Sequence, residues 1–250
     1  MKYLDLIQEK KPLIHHLTNW VTIYDCAQVT RSLGALPVMA HAKEEVPEMV
    51  MLASALVLNI GTLTKDFVEA QILAGKAANK KGIPVVLDIV GCGATKMRSE
   101  ASEQILREVK VSLIKGNYGE ISVLAGHDAE VRGVESIGGS DKIDEAVMSL
   151  AKSHNAIVVA TGKVDIIGDS EKVLKCEEGH EMMGKVVGTG CMAASVLGSF
   201  LSVCDKNEHL DAAFSAMMYY GKCGERAASK SEGAMEFKMR FLDEIGIQKV

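Results

Sequence analysis

Three short runs, at residues 55–60, 84–88 and 156–160, are almost continuously aliphatic and β-branched, and stretches long enough to form a helix separate them. A strand that is apolar on both faces must be covered on both faces, and parallel sheets with helical crossovers are the architecture that covers them. The first spacer, 64–81, places Phe67, Ala70, Ala74 and Ala77 on one stripe, opens on the capping residue Thr64 and stops at Gly82. A second helix is expected over 141–154, with Ile143, Val147, Leu150 and Ala151 toward the core and acidic residues in its first turn. Residues 164–170 and 171–176 flank a Gly-Asp-Ser turn and read as a hairpin forming an antiparallel edge. From Thr189 onward, helices are expected over 191–203, 210–229 and 235–245, their methionines serving as core filler. The fold class is therefore α/β, with a mostly parallel central sheet and helices on both faces.

With 250 residues, 48% of them hydrophobic and 24% charged, the chain is long enough to bury a full core. No internal repeat or Pro/Ser-rich linker divides it, so residues 1–250 are read as one domain. A net charge of -5, spread over mixed-sign runs such as Lys43-Glu44-Glu45, offers no basic stripe for nucleic acid, and 4% aromatic residues offer no base-stacking platform. No apolar run approaches the roughly 20 residues of a membrane helix. Asp5 and Glu9 interrupt any signal-peptide core, and the six cysteines lack C-x-x-C spacing, so a cytoplasmic protein with reduced thiols is expected. Five of these cysteines read as buried small hydrophobes; Cys191 is the exception. His15, His16 and His41 have no spacing that pairs them as metal ligands.

Three segments carry chemistry. Gly188-Thr189-Gly190-Cys191 opens a long small-residue helix; glycines let backbone N–H groups approach a phosphate, and the helix N-terminus adds unpaired donors and partial positive charge. That field is expected to favour a thiolate at Cys191. The chain has neither a P-loop nor a G-x-G-x-x-G after its first strand, so another phosphate-handling α/β fold is required. Asp88 ends a buried strand at the sheet edge where α/β proteins bind ligands, and reads either as a metal-facing carboxylate or as a cap on its own turn. Asn117 and Glu120, three apart at a helix start, read either as hard oxygen ligands for hydrated Mg²⁺ and phosphates or as an ordinary capping pair.

In this order, Asp88, Asn117-x-x-Glu120 and Gly188-Thr189-Gly190 resemble the ribokinase-like superfamily, which implies a three-layer sandwich. Leu17-Thr18-Asn19-Trp20-Val21, Leu36-Pro37-Val38-Met39-Ala40-His41-Ala42, Asn59-Ile60-Gly61-Thr62-Leu63 and Lys185-Val186-Val187-Gly188-Thr189-Gly190-Cys191 are similar to successive signatures of the hydroxyethylthiazole kinase family, across nearly the whole chain. The resemblance implies ATP-dependent phosphorylation of the primary alcohol of 4-methyl-5-(2-hydroxyethyl)thiazole, the salvage step supplying the thiazole half of thiamine. It also implies a homotrimer with sites between subunits, one giving the Asn-x-Val and Pro-Val-Met segments and the other the nucleotide side.

By the same resemblance, Asn19, Val21, Met39 and Gly188 contact thiazole, and Lys115, Thr161 and Asn117 contact ATP. Asp88 and Glu120 surround Mg²⁺ and phosphate, and Gly188, Thr189, Gly190 and Cys191 lie at the reacting hydroxyl. Related sugar kinases carry Asp where Cys191 stands, which implies a proton-accepting role there. Departures from the family are Ile89 for the usual Pro, Lys115 for Arg, and Tyr118-Gly119 for a small-residue pair. Lysine keeps the charge but loses bidentate phosphate geometry. The alternatives are a hydroxymethylpyrimidine kinase, an ATP-dependent dehydratase of the same fold, or a non-catalytic thiazole- or nucleotide-binding protein.

Overall fold

The computed structural model describes residues 2–126 and 140–247. Eight strands form one sheet in the order β2-β1-β3-β4-β5-β6-β7-β8: β1 (Leu13–Leu17), β2 (Leu36–Val38), β3 (Ala55–Asn59), β4 (Val85–Asp88), β5 (Leu113–Asn117), β6 (Ile157–Thr161), β7 (Asp165–Gly168) and β8 (Val173–Cys176). The pairs from β2 to β6 are parallel, and β7 and β8 join antiparallel as the expected edge hairpin. Alternation assigns each strand to two cores. Val57, Val86 and Leu113 face one helical layer, whereas Leu56, Leu87 and Ile114 face the other.

The first layer holds α1 (Lys2–Lys10), α2 (Ile23–Ser32), α8 (Thr189–Leu201), α9 (His209–Ala228) and α10 (Ala234–Ile247); the second holds α3 (Val46–Leu52), α4 (Lys65–Lys81), α5 (Lys96–Glu108), α6 (Tyr118–Leu124) and α7 (Ser140–His154). The helix expected at 64–81 is α4: the Thr64 hydroxyl accepts from the Phe67 amide at 3.1 Å, and Gly82 closes it with φ 81°. The expected acidic first turn of α7 includes Asp141, whose side chain lies outside the described residues. All six cysteines are free; Cys204 is only partly buried, against the expectation of full burial. Among the described residues no helix is long and apolar enough to cross a membrane.

Chain order reverses at β1, because the chain passes to β2 on one side and β3 on the other. Ligands of open α/β sheets bind beyond the carboxyl ends of strands at such a switch point. The loops after β1, β3 and β4 therefore frame the candidate site.

The interior also stores a pH-sensitive group. His16 on β1 is fully buried, with Nδ1 3.1 Å from the Ile14 carbonyl and Nε2 3.1 Å from the Ser195 hydroxyl on α8. The carbonyl only accepts, so Nδ1 carries the proton and Nε2 is the acceptor of a neutral ring. Burial lowers its pKa from 6.5 to about 4. An unfolded chain protonates this ring at a higher pH than the folded chain does, so stability is lost as pH falls from about 6.5 toward 4. Chemical denaturation at about pH 7 and about pH 4.5 should show wild type losing roughly 2–3 kcal/mol more across that window than His16→Gln. Equal losses would assign the acid sensitivity elsewhere.

Candidate active site

Sheet register builds the centre of the site. Asn59, Asp88 and Lys115 are lateral partners on β3, β4 and β5, two residues beyond Val57, Val86 and Leu113. Their side chains consequently point to the same face, where α8 packs across β1, β3 and β4. Lys115 Nζ donates to Asp88 Oδ1 at 3.1 Å, and Asn59 Nδ2 donates to Asp88 Oδ2 at 2.7 Å. Asp88 is thus no turn cap. It is 0% exposed and Lys115 4%, so this is a buried ion pair rather than a surface one.

The row continues from Asn59 to the helix entrance. Asn59 Oδ1 accepts from the Gly61 amide at 2.9 Å and from Asn19 Nδ2 at 3.1 Å, and Asn19 Nδ2 also donates to Cys191 Sγ at 3.2 Å. Asn19 Oδ1 accepts from the Thr22 amide and hydroxyl, both at 3.1 Å. Because each carboxamide oxygen already accepts from a backbone N–H, both amide orientations are determined by the network. A continuous hydrogen-bonded chain therefore runs from buried Lys115 through Asp88, Asn59 and Asn19 to the partly buried Cys191. Asn19 and Cys191 thus belong to one network within this chain.

Gly188 begins α8 with φ 100°, a conformation that strains any L side chain, and a Cβ there would lie 2.7 Å from Thr22 Cγ2. The Met192 amide takes the Gly188 carbonyl at 2.8 Å, leaving the Thr189, Gly190 and Cys191 amides without intrahelical acceptors. The Thr189 hydroxyl turns away to the Met183 carbonyl at 2.9 Å and the Val186 carbonyl at 3.3 Å. What Thr189 presents at the helix entrance is its amide. Lys115 Nζ lies 3.2 Å from where a Cβ on Gly190 would stand, directly under this turn.

The charge states follow from burial. Asp88 is pushed up to about 6 by desolvation, which outweighs the pull of Lys115. Burial opposes the charge on Lys115, but Asp88 and Glu120 more than compensate and hold it above its ordinary value. Cys191 is pushed up, first by burial and then by the Asp88 carboxylate. This corrects the expected thiolate: the field of the helix terminus is real, but desolvation and a neighbouring anion exceed it, so the sulfur stays protonated at neutral pH.

Asn117 and Glu120 form a capping box: the Glu120 amide donates to Asn117 Oδ1 at 2.9 Å, and Glu120 Oε2 accepts from the Asn117 amide at 2.7 Å. The capping reading is therefore realised, but Glu120 does more, because its Oε1 accepts from the Gly91 amide at 2.7 Å in the loop after β4. Thr161 pairs laterally with Asn117, and its hydroxyl donates to the Gly116 carbonyl at 3.3 Å.

Val21 is 66% exposed and Met39 is half-buried just past β2, both outside the hydrogen-bonded row. Their loops are joined by Trp20, whose ring meets His41 edge-on at 4.7 Å and whose amide donates to Thr62 at 3.0 Å. Among the described residues no group of three His, Cys, Asp or Glu is placed to hold a metal.

Two contributors escaped the sequence reading. Asn59 sits in a quoted motif, yet only its lateral pairing with Asp88 reveals its task; a polar residue ending an apolar strand was the available signal. Arg98 on α5 donates to the Ile60, Gly61 and Val90 carbonyls at 3.0, 2.7 and 2.8 Å, tying the loops after β3 and β4 together. In sequence it looks like one more charge on a helix.

Known proteins share this arrangement of elements. The sequence model of the hydroxyethylthiazole kinase family matches residues 4–249. A hydroxyethylthiazole kinase of Methanosarcina mazei is 53% identical over 242 residues, covering 97% of this chain and 92% of the relative. The solved structure of a hydroxyethylthiazole kinase protein from Pyrococcus horikoshii superposes with a TM-score of 0.90 at 38% identity, over 98% of this chain and 92% of that one. A ribokinase-like superfamily protein from Enterococcus faecalis, 11% identical, shares the fold with a TM-score of 0.69 over 97% of this chain and 93% of its own. With a family match over nearly every residue and an α/β sheet of ribokinase-like form, this chain belongs to the hydroxyethylthiazole kinase family.

Proposed function

We propose that the chain transfers the γ-phosphoryl group of ATP to the primary hydroxyl of 4-methyl-5-(2-hydroxyethyl)thiazole, producing the thiazole phosphate used in thiamine salvage. The observation that carries this reading is the buried Lys115–Asp88 pair beneath the free amides of Thr189, Gly190 and Cys191. A buried ammonium and a helix N-terminus converge there and offer positive charge and donors to a phosphoryl group, beside the Asp88 and Glu120 carboxylates that a divalent cation would neutralise. Thiazole selectivity is assigned to Asn19, Val21, Met39 and Gly188, and the nucleotide to Lys115, Asn117 and Thr161.

Asp88 and Glu120 are the residues that would hold Mg²⁺. Two carboxylates, with no third His, Cys, Asp or Glu grouped with them among the described residues, fit an ion that keeps waters and phosphate oxygens in its shell. When bound, Mg²⁺ supplies charge neutralisation on the phosphate oxygens.

The chain's own groups act by position. The Gly188–Gly190 turn offers amides to the oxygens of the transferring group, and Lys115 adds charge from below. The neutral Cys191 thiol, held by Asn19, lines the path of the attacking hydroxyl. A loose phosphoryl-transfer transition state needs little help from a base, so a protonated thiol is compatible with turnover. Cys191→Asp should retain or raise kcat, because Lys115 and the amides stand ready to stabilise a carboxylate there. A folded but inactive Cys191→Asp variant would remove the hydroxyl from this position.

Residues 1–250 are read as one ribokinase-like unit, and the apolar Trp20, Val21, Tyr24 and Val187, exposed near the site mouth, support a homotrimer with sites at subunit boundaries. A cytoplasmic location belongs to the same reading. The test is ADP release from Mg²⁺ and ATP, offering hydroxyethylthiazole and hydroxymethylpyrimidine separately. Thiazole-dependent release upholds the assignment. Pyrimidine-dependent release transfers it to the other half of thiamine, and release with neither removes kinase activity on these alcohols.

A further inference from the structure

The turn between β6 and β7 leaves the sheet at Thr161, which on the reading above meets ATP, and two side chains hold it. The Tyr118 hydroxyl donates to the Val164 carbonyl, and its ring lies so close to Gly162 that a Cβ there would sit 2.7 Å from a ring carbon. At the base of the turn, Asp165 Oδ1 accepts from the Gly162 amide at 3.0 Å. Tyr118 is itself anchored, since it is the first residue of α6, between Asn117 and Glu120 of the capping box, and Glu120 reaches on to Gly91. One aromatic residue thus bridges the carboxylate-bearing helix start and the turn beyond Thr161.

We propose that Tyr118 is a positioning residue for the nucleotide, fixing the 161–165 turn through its hydroxyl and ring so that the Thr161 end of the site is formed before ATP arrives. A turn held in its bound form loses less freedom on binding, so the benefit belongs to ATP affinity and not to the thiazole. Gly162 is the matching half of the contact, because any side chain there would displace the ring.

The inference rests on the assignment of Thr161 to ATP, and the experiment separates the two. MgATP affinity is measured by calorimetry without thiazole, and KM is measured for each substrate in turn, on wild type, Tyr118→Phe and Gly162→Ala. Tyr118→Phe keeps the ring and loses one hydrogen bond, so Kd and KM for ATP should rise about fivefold while KM for the thiazole stays within about twofold. Gly162→Ala should move the same parameters in the same direction. ATP affinity unchanged in Tyr118→Phe, or equal rises in both KM values, overturns the role. Wild type that binds MgATP without thiazole-dependent turnover sinks the proposed reaction, yet leaves the Kd comparison to decide Tyr118. Wild type that binds no MgATP overturns both.

Discussion

Asp88→Ala is expected to lower kcat by about a hundred- to a thousandfold, the largest kinetic effect of any single substitution in this site. Among the described residues Asp88 is the only side chain joined to both Lys115 and Asn59, so its removal frees a buried ammonium from its partner and breaks the row running to Cys191. Breaking one side of a buried pair is costly for the fold as well, by about 3–5 kcal/mol. Asp88→Asn separates the two effects. It fills the same volume but brings an NH₂ group against either Lys115 or Asn59, so turnover should fall comparably while the unfolding free energy falls less. Steady-state assays paired with denaturant unfolding read both quantities. A folded Asp88→Ala protein that keeps more than about a tenth of wild-type turnover would contradict the assignment.

Glu120→Ala should reduce kcat by about a hundredfold, for a different reason. Its two oxygens receive the Gly91 amide in the loop after β4 and the Asn117 amide at the end of β5, so one carboxylate sets the spacing of two segments that flank the phosphate path. Losing both charge-assisted bonds should cost about 3 kcal/mol of stability. Glu120→Gln offers a single acceptor oxygen and leaves one amide facing an NH₂ group, so it should fall between wild type and Ala in both stability and kcat. A Gln variant as impaired as Ala would show that charge, more than loop spacing, is what the reaction draws from Glu120.

Much of the architecture was readable in advance. The strands at 55–60, 84–88 and 156–160, the capped helix ending at Gly82 and the edge hairpin are recorded in local patterns of apolar spacing and turn residues, and they formed where those patterns place them. The helix entrance at Gly188 was equally legible, because a glycine at positive φ before a run of small residues is a local requirement. Asn59 and Arg98 were not, since each acts on segments distant in the chain, and Asn59 acquires its role only through parallel register with Asp88.

Cys191 illustrates the same boundary from the side of chemistry. Its place at the start of α8 suggested a thiolate, and that expectation counted only the helix terminus, the one influence visible along the chain. The burial of the sulfur and the nearby Asp88 carboxylate push the thiol up instead. The sequence by itself determined the order and kind of elements and the glycines that open the helix, because periodicity and backbone conformational limits act among near neighbours. Tertiary structure alone decided that Asn59, Asp88 and Lys115 share one face, that Asn19 links them to Cys191, and which of these groups carries charge. Lateral register and desolvation arise only when segments far apart in the chain are packed together.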